Sequence, residues 1–130
     1  MLPKPEPSPT PGQVLLVEDD VLIRVLLAEE LRSAGLRVIE AANADEALSY
    51  FHTGAEIDLL FSDVQMPGSM NGVELARRIR SGYPSVRIIL TSAHNGPTDH
   101  LGSFLPKPYD FDRAVSVVFE TLGLKRARSP

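Results

Sequence analysis

Short apolar runs alternate along this chain with stretches of helical periodicity, the pattern of βαβ units around a parallel sheet. The runs predict strands over about 13–18, 37–41, 57–62, 86–90 and 104–106. The first, third and fourth are almost continuously apolar, as strands covered on both faces are. Polar caps and glycines mark the helices between them. Asp20 opens a helix that runs to about Ala34 and stops at Gly35. Asn43 caps a second, ending near Gly54, and Asn71 or Gly72 opens a third that ends at Gly82-Tyr83-Pro84. Asp110 caps the last, to about Leu122, before Gly123. Right-handed crossovers then favour an α/β fold, a doubly wound five-stranded parallel sheet in the order 2-1-3-4-5.

Two places break the regular pattern. On the first helix, Ile23, Leu27, Leu31 and Ala34 share the stripe expected to face the sheet. Leu22 and Leu26 fall on another stripe, beside Glu29. They read equally as scattered surface apolars or as a partner-docking patch. After Thr91, the segment His94 to Gly102 is short and holds Gly and Pro where a full helix is due. It predicts a shortened or disordered fourth helix, with His94 and His100 as solvated loop residues.

Composition narrows the class. The chain has 130 residues and a net charge of -4, enough for one domain and a poor match to nucleic acid, which needs clustered cations. No apolar run approaches the roughly 20 residues of a membrane span. With no cysteine there is neither a disulfide framework nor thiolate chemistry, which permits a cytoplasmic setting. Proline at positions 3, 5, 7, 9 and 11 makes residues 1–12 an extended, disordered leader or the remnant of a linker. The domain is expected over 13–123. Residues 124–130 form a basic tail, Lys125-Arg126-Ala127-Arg128, read as a solvated complement to the last helix's dipole or as a docking signal.

The strand ends carry the chemistry. Glu18-Asp19-Asp20 follow the first strand, Asp63 the third, Thr91 the fourth and Lys107-Pro108 the fifth. In a parallel sheet these converge on the carboxyl edge, where open α/β sheets bind ligands. Carboxylates about 4 Å apart repel by roughly 4 kcal/mol per pair at an effective dielectric near 20. A hard divalent cation such as Mg2+ offsets that, held by Asp19, Asp63 and the backbone carbonyl near Gln65, with Glu18 acting through water. Asp63 is a competent phosphoryl acceptor, Lys107 a cation for a phosphoryl oxygen and Thr91 a hydroxyl donor.

With these motifs in place, the chain resembles the receiver domain of two-component response regulators, the CheY-like superfamily. The resemblance rests on Val17-Glu18-Asp19-Asp20, Ser62-Asp63-Val64-Gln65-Met66-Pro67, Asn71-Gly72, Leu90-Thr91-Ser92-Ala93 and Leu105-Pro106-Lys107-Pro108. It implies that Asp63 takes phosphate from a phosphohistidine on a sensor histidine kinase or a histidine phosphotransfer protein. It implies Mg2+ at Glu18, Asp19 and Asp63, and a cis Lys107-Pro108 bond. It also implies a switch in which Thr91 moves toward the phosphoryl group and Phe104 turns inward, although Phe104 reads equally as plain core. Docking is expected on Leu22, Ile23, Leu26 and Pro108, and output through an unknown downstream protein. Such a domain is not a turnover enzyme, although it catalyses its own phosphorylation and slow dephosphorylation. A phosphohydrolase of the haloacid dehalogenase type needs an acid two positions after the nucleophile, where Gln65 stands. A receiver-shaped binding module that is never phosphorylated is the other alternative. With only about seven residues after the last helix, a single-domain form is expected.

Overall fold

The structure, a computed structural model, describes residues 12–94 and 101–126. Five strands, β1 (Gln13–Val17), β2 (Arg37–Ala41), β3 (Leu59–Asp63), β4 (Arg87–Ser92) and β5 (Ser103–Pro106), form one parallel sheet in the order β2-β1-β3-β4-β5. Four helices are present among the described residues: α1 (Val21–Ser33), α2 (Ala44–His52), α3 (Gly72–Gly82) and α4 (Phe111–Leu122). Each begins at an Asp or Asn whose side chain accepts an amide hydrogen bond three residues on: Asp20, Asn43, Asn71 and Asp110. Gly123, in the left-handed region at φ 71°, ends α4.

Alternation along the strands divides the core in two. Val14, Leu16, Leu59, Phe61, Ile89 and Leu105 face one side and pack with Leu27, Ala28 and Leu31 of α1 and Ala114, Val115 and Val118 of α4. Leu15, Val17, Leu60, Ile88 and Leu90 face the other, against Ala47 and Phe51 of α2 and Leu75, Ala76 and Ile79 of α3. On α1 the buried stripe is Leu27, Ala28 and Leu31, while Ile23 and Ala34 sit at its half-buried margins.

Several boundaries move. β3 starts at Leu59, not Ile57; just before it the Asp58 amide donates to the Gln13 carbonyl and its carboxylate accepts from the Gln13 amide. β3 and β4 both run further toward the carboxyl edge than their apolar runs. Asp63 pairs in register with Thr91, the Val64 amide donates to the Thr91 carbonyl, and the Lys107 amide donates to the Ser92 carbonyl. Asp63 and Thr91 therefore lie within their strands. Of the basic tail, residues 124–126 fall within the described residues. Arg126 reaches back along α4, pairing with Asp112 at 2.7 Å and donating to Ser116. Residues 127–130 and 1–11 lie outside the described residues, and so does 95–100, on which the shortened fourth helix was expected. The flanking residues 93, 94, 101 and 102 are not helical.

Candidate functional site

The same alternation that sorts the core gathers the polar residues. Glu18, Asp63, Thr91 and Lys107 each stand two residues beyond a member of the α1/α4-side core: Leu16, Phe61, Ile89 and Leu105. Two residues is one full strand period, so all four leave the sheet on the same side at its carboxyl end. Val17 pairs with Ser62, which brings Glu18 level with Asp63. Carboxylate oxygens of Glu18, Asp19 and Asp63 lie within 4.8 Å of one another.

Asp63 is 6% exposed, and both its oxygens are engaged. The Lys107 ammonium reaches Oδ2 at 2.6 Å, and the Gln65 amide donates to Oδ1 at 3.1 Å. Lys107 also approaches Glu18 Oε1 at 3.7 Å. Asp19 is exposed at the mouth. The Thr91 hydroxyl is buried and, among the described residues, is the one buried side-chain polar atom without a hydrogen-bond partner. Such a group costs about 1–3 kcal/mol. The Lys107-Pro108 bond is cis, as expected.

The electrostatics report crowding. Burial first, then the hydrogen bond with the Asp19 side chain and the charge of Asp63, push the Glu18 carboxyl up to about 7, against the opposing pull of Lys107. For Lys107, burial lowers the pKa, but the hydrogen bond and charge of Asp63, with Glu18 and Asp19 behind it, leave it above its ordinary value. Tyr109 stands edge-on to Phe61, with ring centroids 6.1 Å apart. Its hydroxyl is pushed up by burial and then by the charges of Glu18 and Asp63. The donor set is all oxygen, negatively charged and closely spaced, which fits a hard divalent cation.

Two of the four expected docking residues lie beside this site. Ile23 and Pro108 line an apolar hollow with Ala93, Lys107, Tyr109 and Phe111. Leu22 and Leu26 are 66% and 44% exposed, on one surface with Val21 and Val25. Phe104 is 36% exposed and pairs in register with Leu90, so it is not plain core in this arrangement. Sequence reasoning missed Tyr109, Val21, Val25 and the Arg24–Glu40 pair. The aromatic after Lys107-Pro108 was a usable signal; the ion pair joins residues distant in sequence and had none.

A doubly wound sheet with an acid cluster, a lysine and a hydroxyl at its carboxyl edge defines a class, and comparison with known proteins names it. The response regulator receiver domain pattern matches residues 14–118, and the chain belongs to that family. The chain is 38% identical over 117 residues to the sensor kinase CckA of Brucella abortus, covering 84% of this chain and 12% of that protein. It is 34% identical over 114 residues to the DNA-binding transcriptional regulator NtrC of Salmonella typhimurium, covering 82% of this chain and 24% of the relative. It thus spans a small part of either protein. Among solved structures, the receiver domain of the hybrid histidine kinase CckA superposes with a TM-score of 0.73 at 34% identity, covering 85% of this chain and 99% of that one. The response regulator TrrA of Thermotoga maritima, solved in complex with Mg(2+)-BeF, gives 0.75 at 33% identity, covering 85% and 98%. The fold and the acid pocket are those of a two-component receiver domain. Among the described residues no helix is long and apolar enough to cross a membrane.

Proposed function

We propose that Asp63 accepts a phosphoryl group from a phosphohistidine of a sensor histidine kinase or histidine phosphotransfer protein, with Mg2+ at the cluster. One observation carries this reading. A buried carboxylate sits 2.6 Å from an ammonium group inside a three-acid cluster, with an unpartnered buried hydroxyl on the next strand. An Asp63 oxygen attacks phosphorus, the O–P bond forms as the N–P bond breaks, and the imidazole leaves with the electron pair. Lys107, already on Asp63 Oδ2, passes to a phosphoryl oxygen. The Thr91 hydroxyl gains its first acceptor there. Asp19, Asp63 and the Gln65 carbonyl are the proposed ligands, with Glu18 through water. When bound, Mg2+ supplies positive charge that offsets the carboxylates and the transferring oxygens.

The TrrA structure, with its bound Mg(2+)-BeF, supports the same use of this pocket. Gln65 argues against turnover phosphatase chemistry, since it offers no general acid. The phosphodonor docks on Leu22, Leu26, Ile23 and Pro108, where exposed apolar surface adjoins the site. The phosphorylated form signals through protein contacts or passes the group on, with Thr91 and Phe104 reshaping the β4–β5 face. The test is labelling by a small phosphodonor with Mg2+. Wild type takes up phosphate and Asp63→Asn does not; equal labelling of both refutes the assignment.

A further inference from the structure

Two of the three acids hang from the turn after β1, and that turn is held by a side chain the phosphoryl chemistry does not use. The Glu18 amide donates to the Ala41 carbonyl on β2 at 3.0 Å. The Glu18 carbonyl accepts from Arg24 Nη1, on the first turns of α1, at 2.9 Å. That carbonyl belongs to the planar peptide joining Glu18 to Asp19. Fixing its direction therefore fixes the plane from which both acidic side chains depart. Arg24 is fixed in turn: its Nε donates to Glu40 Oε1 on β2 at 3.3 Å, and its side chain is only 16% exposed. Arg32 holds the other Glu40 oxygen at 3.2 Å. A forked guanidinium suits this bridge, because it reaches a carbonyl and a carboxylate at once in fixed geometry.

We infer that Arg24 is a positioning residue for the cation site, orienting Glu18 and Asp19 through their shared peptide while Glu40 holds the guanidinium in place. The inference rests on the reading that the acid cluster takes Mg2+. Arg32 supplies the control. It bonds Glu40 and the Val38 carbonyl, but no atom of the acid-bearing turn.

The experiment is a calorimetric titration of Mg2+ alone into wild type, R24Q, R24K and R32Q, with thermal melting of each. Losing an outer partner of metal-binding groups weakens binding on the order of tenfold or more, and R24Q should do so. R24K preserves the charge and reaches one acceptor at a time, so its affinity falls between wild type and R24Q, and it carries the test if R24Q does not fold. R32Q should lower the melting temperature yet keep Mg2+ affinity within about twofold, because it leaves the turn's hydrogen bond intact. Wild-type affinity in R24Q or R24K, or equal weakening in R32Q, overturns the positioning role. Wild type that takes up no Mg2+ refutes the cation reading itself, and this inference with it.

Discussion

Glu18 shows most directly how the pocket trades stability for chemistry. Its carboxyl rises from 4.5 to about 7, mainly through burial. The folded protein therefore prefers Glu18 protonated. Its contribution to stability is complete below pH 4.5 and is lost as pH rises through about 7. With Mg2+ chelated, the melting temperature should fall across that window in wild type and stay flatter in Glu18→Gln; parallel curves would contradict the assignment. Mg2+ affinity should rise over the same window, because the cation needs the ionised acid. Thr91 makes a complementary case. Thr91→Val removes a buried hydroxyl that has no partner and keeps the shape. It should stabilise the unphosphorylated protein by about 1 kcal/mol in urea denaturation while slowing small-donor labelling. A stability loss with normal labelling would show that the hydroxyl serves the fold instead.

At the scale of elements, α1 carries two apolar stripes. Leu27, Ala28 and Leu31 are buried against the sheet, while Val21, Leu22, Val25 and Leu26 remain open to solvent. Leu26→Asp should leave the melting temperature nearly unchanged, since this side chain is 44% exposed. It should slow phosphotransfer from a cognate kinase without affecting small-donor labelling; a joint fall would place Leu26 in the fold. Helix starts were legible because Asp and Asn caps act within three residues of themselves. Strand ends were less so. Hydrophobic runs stop where the carboxyl edge turns polar, whereas Asp63, Thr91 and Ser92 stay buried and in the sheet through backbone pairing that polar side chains do not advertise.

For the whole molecule, the cation reading has a thermodynamic consequence. A ligand that binds only the folded state stabilises it by about 2.7 kcal/mol at ~100-fold excess over its dissociation constant, roughly 10 °C in melting temperature for a domain of this size. Wild type should show that Mg2+ dependence, and Asp19→Asn should show much less of it. A melting temperature indifferent to Mg2+ would remove the cation from the site.

Local chemistry written into the chain was enough for the sheet order, the helix caps, and the gathering of Glu18, Asp19, Asp63, Thr91 and Lys107 at the carboxyl edge. Hydrophobic period, turn residues and strand-terminal acids each act over a few neighbours, so sequence alone displays them. Tertiary structure decided what depends on register and burial. It set the shared side on which four strand ends deliver their polar groups, the raised Glu18 carboxyl, the unpaired Thr91 hydroxyl and the Arg24 bridge to Glu40. Those properties arise between residues far apart in the chain, whose distance and dielectric surroundings exist only once the sheet has formed.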